Sequence, residues 1–490
     1  MPSVPNVTED PTPSAPGLSS GKYRISGVWP DTPQDVAVSD FPGCRAEFEV
    51  ERLVAGGRGL GRPGGVVWLV DGGVPGDRVR AEASRRRRRL VEGRVVDLLA
   101  PSPLRRTSPC PYQGACGGCP WMVLDEAEQR YWKGKILEEA LWRIGGFEGL
   151  SAERIEPSPR SLGYRNKLEL TFGTVKGRRI LGFHESGFRP SVVDVDRCLL
   201  QDETAHRILH EAREFFLDGP GRDDPWLDVR PEPARLVIRR SVSAGCLLVA
   251  LRGGPGPFPS AREFARRVGA AVPEVSGVVR LLSRPGRRGG VRVVRLLGRP
   301  WLEESLGGVV FRLPAPTFFQ VNPEAASALV HAVRELAAPD AETTALDLYA
   351  GVGVFGLTLA KAGARVIACE ADPRAVACGI RAARENLRTG FRMVQGDVGT
   401  FLASSAARES SPTTVVANPP RTGFGPGVAE GIAELGPERI VIVSCDPATL
   451  ARDLRRLAAH GYTPARVVAV DLFPQTPHIE AVTLLERKGA

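Results

Sequence analysis

The chain runs Ile440-Val441-Ile442-Val443 straight into Ser444-Cys445-Asp446-Pro447. Four consecutive apolar residues predict a buried strand, and such a strand delivers Cys445 to its carboxyl end, where open α/β sheets place their ligands. Asp446 is suited to cap a following helix and Pro447 to fill its first turn. A helix N-terminus favours the thiolate, the nucleophilic form of cysteine, whereas the charge of Asp446 opposes that shift. Alone, the segment reads as a small buried cysteine beside a turn. Other parts of the chain point to chemistry.

Cys110-x5-Cys116-x2-Cys119 lies in a glycine- and proline-rich loop, Pro109 to Pro120. Three thiolates so close together suit a metal, and Cys198 is the best distant candidate for a fourth ligand. Four cysteines hold either zinc or an iron–sulfur cluster, and the spacing slightly favours zinc. Cys44, Cys246, Cys369 and Cys378 have no motif around them and are expected to be structural.

A third constellation is Asp347-Leu348-Tyr349-Ala350-Gly351-Val352-Gly353-Val354-Phe355-Gly356. Gly351 and Gly353 let backbone N–H groups approach a ligand at a helix N-terminus. The spacing is not that of the dinucleotide fingerprint G-x-G-x-x-G. Glu370, ending the next strand, is placed to hold a pair of ribose hydroxyls, and Gln395-Gly396-Asp397 suits an adenine edge. In this order the three features resemble an S-adenosylmethionine (SAM) methyltransferase domain. The fourth strand ends Asn418-Pro419-Pro420-Arg421, whose arginine stands where amine methyltransferases carry an aromatic ring.

The elements that must hold these groups fall into three regions. Residues 1–40, rich in Pro, Ser and Thr, are expected to be a disordered tail. Residues 41–101 predict five short strands between glycine turns, suiting an oligonucleotide-binding type of barrel with the arginine run Arg85 to Arg89 at a hairpin end. Residues 102–314 mix strands such as Lys167–Phe172 with helices such as Glu126–Trp142, an α+β pattern. Residues 315–490 alternate strands and helices, as in a doubly wound Rossmann-like sheet. The fold class is therefore α/β with an N-terminal barrel.

At 490 residues the chain has room for roughly three domains of ~150 residues. Its net charge of +9 is carried mostly by arginine, which suits an acidic polymer such as RNA. No stretch reads as a signal peptide or a membrane span, so the protein is expected in the cytoplasm. Nine cysteines there suggest metal or catalysis before disulfides.

Read together, these pieces resemble the RNA uracil-5 methyltransferase family over most of the chain. The motifs are Cys110-x5-Cys116-Gly117-Gly118-Cys119 with Cys198, Phe318-Phe319-Gln320-Val321-Asn322, the glycine loop, Ser444-Cys445-Asp446-Pro447 and His478-Ile479-Glu480. The resemblance implies a TRAM-type barrel and a [4Fe-4S] cluster on the four cysteines in place of zinc. It implies SAM contacts by Gln320, Tyr349, Glu370 and Asn418, Cys445 as nucleophile and Glu480 as base. It favours 23S ribosomal RNA as substrate over transfer RNA, and no obligate protein partner is evident. One position departs: the family's Asp-Pro-Pro-Arg reads Asn418-Pro-Pro-Arg here. An amide still offers a uracil edge a donor and an acceptor but no negative charge. A catalytically retired RNA-binding factor is the alternative of a different class.

Overall fold

Thr344–Leu348, Thr414–Ala417 and Arg439–Ser444 are buried along almost their whole length, the signature of parallel strands covered on both faces. In the computed structural model, which describes residues 43–87, 90–187, 191–229, 233–283, 290–387 and 389–489, they lie at the centre of an eight-stranded sheet. The expected tail, and Arg88 and Arg89 of the arginine run, lie outside the described residues. Strand order is Phe391–Gln395, Arg365–Glu370, Thr344–Leu348, Thr414–Ala417, Arg439–Ser444, Glu480–Arg487, Tyr462–Val470 and Arg154–Glu156. The first five are mutually parallel, while Glu480–Arg487 runs antiparallel to both of its neighbours.

Helices cover both faces. Pro323–Ala337, Val354–Lys361 and Pro373–Asn386 pack into one core, and Val398–Leu402, Val428–Leu435 and Pro447–Ala459 into the other. This is the doubly wound α/β arrangement expected. Strand order reverses between Thr344–Leu348 and Thr414–Ala417, which opens a crevice at their carboxyl ends.

The preceding stretch forms a seven-stranded sheet from Lys167 to Gly298, with Glu203–Phe216 and Ala261–Ala271 packed on one aromatic-rich core. One strand of that stretch, Arg154–Glu156, leaves it and pairs in parallel with Tyr462–Val470. The helix Glu126–Arg143 also packs against the second core of the eight-stranded sheet through Leu137 and Leu141.

At the N-terminal end the sheet has six strands, one more than expected. The stretch Glu47–Val54, which reads from its sequence as one strand, breaks at Val50, whose N–H and C=O pair with Asp77 and Gly76 of the next turn instead of with a neighbouring strand. The resulting pieces, Arg45–Glu49 and Arg52–Leu53, form the two edges of the sheet, so it curls back upon itself as a barrel does. Arg85 to Arg87 continue the strand Arg78–Arg87 and pair with Leu90 to Glu92.

The buried ion pair Lys133–Asp471, at 2.5 Å with side chains 0% and 2% exposed, ties Glu126–Arg143 to the C-terminal sheet. Removing one partner strands a buried charge, which typically costs about 3–5 kcal/mol. Lys133→Met is therefore expected to lower the thermal-unfolding midpoint by several degrees, and Lys133→Met with Asp471→Leu to recover much of the loss. Among the described residues no helix is long and apolar enough to cross a membrane.

Candidate active site

Cys445 sits where expected, one residue past the strand Arg439–Ser444 and half-buried. Asp446 caps the helix Pro447–Ala459 by accepting the Thr449 N–H at 2.8 Å, and Pro447 fills the first turn. Across the antiparallel pair, Ser444 stands opposite Ala481. Cys445 follows Ser444 and Glu480 precedes Ala481, so both stand at the carboxyl end of Arg439–Ser444, near enough for the Glu480 charge to act on the thiol.

Burial dominates the electrostatics. Glu480 is 7% exposed, and desolvation pushes its carboxyl up to about 8, with the Arg421 guanidinium pulling the other way. The Cys445 thiol is raised above its ordinary value first by burial and then by the Glu480 charge, while Arg421 opposes both. His478 is driven down to about 4 by burial and by the charges of Arg421, Lys133 and Arg165, which keeps its imidazole neutral. Arg421 thus acts on the thiol, the carboxyl and the imidazole together. The sequence displayed it beside Asn418, but only the fold reveals which groups its charge reaches.

The crevice at the strand reversal holds the other expected residues. Tyr349, Glu370 and Asn418 stand at the carboxyl ends of three neighbouring strands, with Gln395 paired to Glu370 and Asp397 just beyond. Glu370 accepts the Gly351 N–H at 2.9 Å and the Asp372 N–H at 2.7 Å, which fixes its carboxylate across the mouth of the glycine turn. A carboxylate has about four lone-pair sites, so outward acceptors remain for hydroxyls. Asp397 caps Val398–Leu402 through the Thr400 N–H and is exposed. Gln320 is half-buried, its carbonyl held by the Asn166 amide at 3.0 Å.

The glycine turn is shaped by sterics. Gly353 caps the helix Val354–Lys361 at φ 82°, a left-handed conformation that suits glycine. A Cβ on Gly356 would lie 2.8 Å from Asp347 Oδ2, the oxygen that accepts the Gly356 N–H. Asp347 is fully buried; desolvation pushes it to about 7, and its Oδ1 has no partner. Past Gly351 and Gly396 an added Cβ would meet nothing within 4 Å, so the turn faces open space. An acidic anchor behind a glycine turn, open space before it and Glu370 alongside fit an adenosyl ligand.

Cys110, Cys116, Cys119 and Cys198 all line one cavity of about 410 Å³, together with Arg165 and Met122. Burial and the neighbouring thiols push Cys119 up to about 12, and Cys198 is driven to about 11 mainly by burial. The four are gathered but not converged, since among the described residues no three His, Cys, Asp or Glu side chains are placed to hold a metal ion. Of the four cysteines without a motif, Cys369 and Cys378 are buried and Cys44 and Cys246 half-buried.

Residues 301–488 match the family model described as tRNA (uracil-5-)-methyltransferase. An RNA methyltransferase of Nitratidesulfovibrio vulgaris is 35% identical over 91% of this chain and 97% of its own length. One from Thermotoga maritima is 35% identical over 90% of this chain and 99% of its own. The crystal structure of the Pyrococcus abyssi tRNA (uracil-54, C5)-methyltransferase in complex with S-adenosyl-L-homocysteine superposes with a TM-score of 0.69 at 27% identity, covering 90% of this chain and 99% of that one.

Proposed function

The chain belongs to the RNA uracil-5-methyltransferase family, whose members use SAM, and we propose that it methylates carbon 5 of a uridine in RNA through a covalent adduct on Cys445. The observation that carries this reading is the nearness of Cys445 and Glu480 at the carboxyl end of Arg439–Ser444, where the Glu480 charge acts on the thiol.

Carbon 5 of uracil is too weak a nucleophile to take a methyl group unaided. In the proposed sequence the Cys445 thiolate forms a bond to C6, and the C5–C6 π electrons move onto the C4 carbonyl oxygen as an enolate. SAM, when bound, supplies an electrophilic methyl to C5 and departs as the neutral thioether. Glu480 then takes the C5 proton; the freed electrons restore the double bond and expel the thiolate. Covalent catalysis of this kind splits one hard step into easier ones. A carboxyl pushed up to about 8 is matched to proton abstraction near neutral pH. Arg421 stabilises the thiolate before attack and again as it leaves.

Gln320, Tyr349, Gly351, Gly353, Glu370, Asp397 and Asn418 are assigned to the cofactor crevice. Asn418, with an amide in place of the family's carboxylate, is assigned a hydrogen bond to the cofactor or the base edge. Asn418→Ala is then expected to lower kcat/KM about 10- to 100-fold, the effect of one unmade hydrogen bond, while Asn418→Asp retains activity; steady-state kinetics decide.

The four-cysteine cavity is assigned a [4Fe-4S] cluster, supported by the four thiols that line it, which such a cluster would hold as thiolates. Iron and acid-labile sulfide, measured against zinc after anaerobic purification, test the assignment. Residues 41–101 are read as a TRAM-type barrel gripping RNA, 102–314 as the cluster-bearing region and 315–490 as the methyl-transfer unit, acting in the cytoplasm.

Ribosomal RNA is the favoured substrate, because a barrel together with the cysteine set resembles family members that act on large-subunit ribosomal RNA. A transfer RNA is the second reading, favoured by the likeness to the Pyrococcus abyssi enzyme. Labelled SAM offered with unmodified 23S and transfer RNA transcripts separates them. Label in neither, with SAM bound, would favour a retired enzyme.

A further inference from the structure

Between the strand Tyr462–Val470 and the strand that begins at Glu480 runs the segment Asp471 to Ile479. At its centre, Pro474 and Gln475, its polar atoms are taken up by one distant part of the chain, residues 106–164. Gln475 is 1% exposed and adopts φ 71°, a left-handed backbone that a residue with a side chain keeps only where its surroundings enforce it. Its N–H donates to Gln129 Oε1 at 2.7 Å, and its carbonyl accepts the Trp121 N–H at 3.1 Å. Its side-chain oxygen accepts from Gln129 Nε2 at 2.9 Å, and its amide nitrogen donates to Glu126 and to the Ser161 carbonyl at 3.3 Å.

The residues on either side are held in the same way. The Tyr164 hydroxyl donates to the Pro474 carbonyl at 3.0 Å, and Lys133 reaches Asp471 and the Phe473 carbonyl. Gln129 is fully buried and spends its remaining donor capacity on the Trp121 and Leu124 carbonyls. Tyr164 packs in the small core that also receives Cys110, Cys119 and Cys198.

Four residues separate Gln475 from Glu480. We propose that Gln129 and Tyr164 are positioning residues for the methylation reaction, forming a clamp on Pro474 and Gln475 that sets the carboxyl of Glu480 against the C5 proton. The proposal rests on the reading of Glu480 as the base. The clamp touches neither Cys445 nor the glycine turn, so loosening it slows proton removal while leaving thiolate attack and methyl transfer in place. The species that then accumulates is the methylated adduct, still bonded from Cys445 to C6 because the C5 proton has not left.

The test uses the full chain, labelled SAM and the accepted RNA transcript. Gln129→Leu keeps the buried volume and removes the clamp's hydrogen bonds. It is expected to lower kcat about 100-fold, the effect of an ångström-scale misplacement, with KM for SAM unchanged. A labelled protein–RNA complex that survives denaturation should build up, and none should form once Cys445→Ala is added. Tyr164→Phe, a milder change that also serves if Gln129→Leu does not fold, should show the same trapping to a smaller degree. Turnover like wild type in both variants, or lost turnover without trapped adduct, would overturn the clamp. If Glu480→Gln itself traps nothing while the wild type makes 5-methyluridine, the base reading fails, and the inference falls with it.

Discussion

Cys445→Ala is expected to abolish 5-methyluridine formation, with a loss of about four orders of magnitude or more in kcat, as when the nucleophile of a covalent mechanism is deleted. The argument lies in what the substitution leaves untouched. The helix behind the cysteine is capped by Asp446 and started by Pro447, and the strand before it is buried on both faces, so alanine changes neither. Cys445 is half-buried, and loss of one sulfur there leaves no sealed core cavity. SAM binding, assigned above to the glycine turn and Glu370, should persist at wild-type affinity. Mass spectrometry of digested RNA supplies the readout, with calorimetric SAM binding as the control for folding. Cys445→Ser should be nearly as inactive, because a hydroxyl in this setting lacks a base strong enough to ionise it. Undiminished 5-methyluridine from Cys445→Ala would exclude the covalent route altogether.

How far the chain displays its own fold depends on how local each feature is. The parallel strands were legible because each is a short apolar run that ends in a turn or a cap, as Ile440–Val443 ends in Ser444-Cys445-Asp446-Pro447. Arg154–Glu156 was not, since three residues with charged flanks carry no periodicity; the strand exists because the edge of Tyr462–Val470 is there to receive it. The break at Val50 was equally invisible. The alternation runs up to Val50 and slips its phase only at Arg52-Leu53, and the pairing with Gly76 and Asp77 divides the run.

The site divides along the same line. Cys445, the glycine turn and the cysteine loop announce themselves by residue type and spacing. Glu480 does not, because a glutamate opening a C-terminal strand is ordinary; resemblance singled it out, and the fold brings its charge within reach of the thiol. Arg421 was in plain view, yet its effect is electrostatic and depends on where a long side chain ends. The clamp on Gln475 spans 346 positions between Gln129 and Gln475, and no local pattern encodes such a bond.

Glu480→Gln should stop turnover after methyl transfer and leave a labelled enzyme–RNA adduct. Glutamine fills the same volume and cannot take the C5 proton, so elimination should slow by a factor of about 10² to 10⁴, the usual contribution of a positioned base. The same substitution changes the nucleophile. The Glu480 charge is one of the causes raising the Cys445 thiol, so its removal should bring that thiol down. The effect appears above about pH 8, where Glu480 ionises in the wild type, as faster alkylation of Cys445 in the variant at equal pH. For stability the sign follows from a folded-state value near 8 against an ordinary 4.5. Below 4.5 the carboxyl is neutral folded or unfolded and costs nothing extra. Between 4.5 and 8 the unfolded chain ionises while the folded one holds its proton, so wild-type stability falls as pH rises; above 8 the loss is complete. Glutamine has no such charge to bury. The melting temperature of Glu480→Gln relative to wild type should therefore climb from pH 4.5 to pH 8 and then level. A flat difference across that range would mean that the carboxyl is solvated, and a solvated carboxylate near Cys445 would be too weak a base for the role assigned to it.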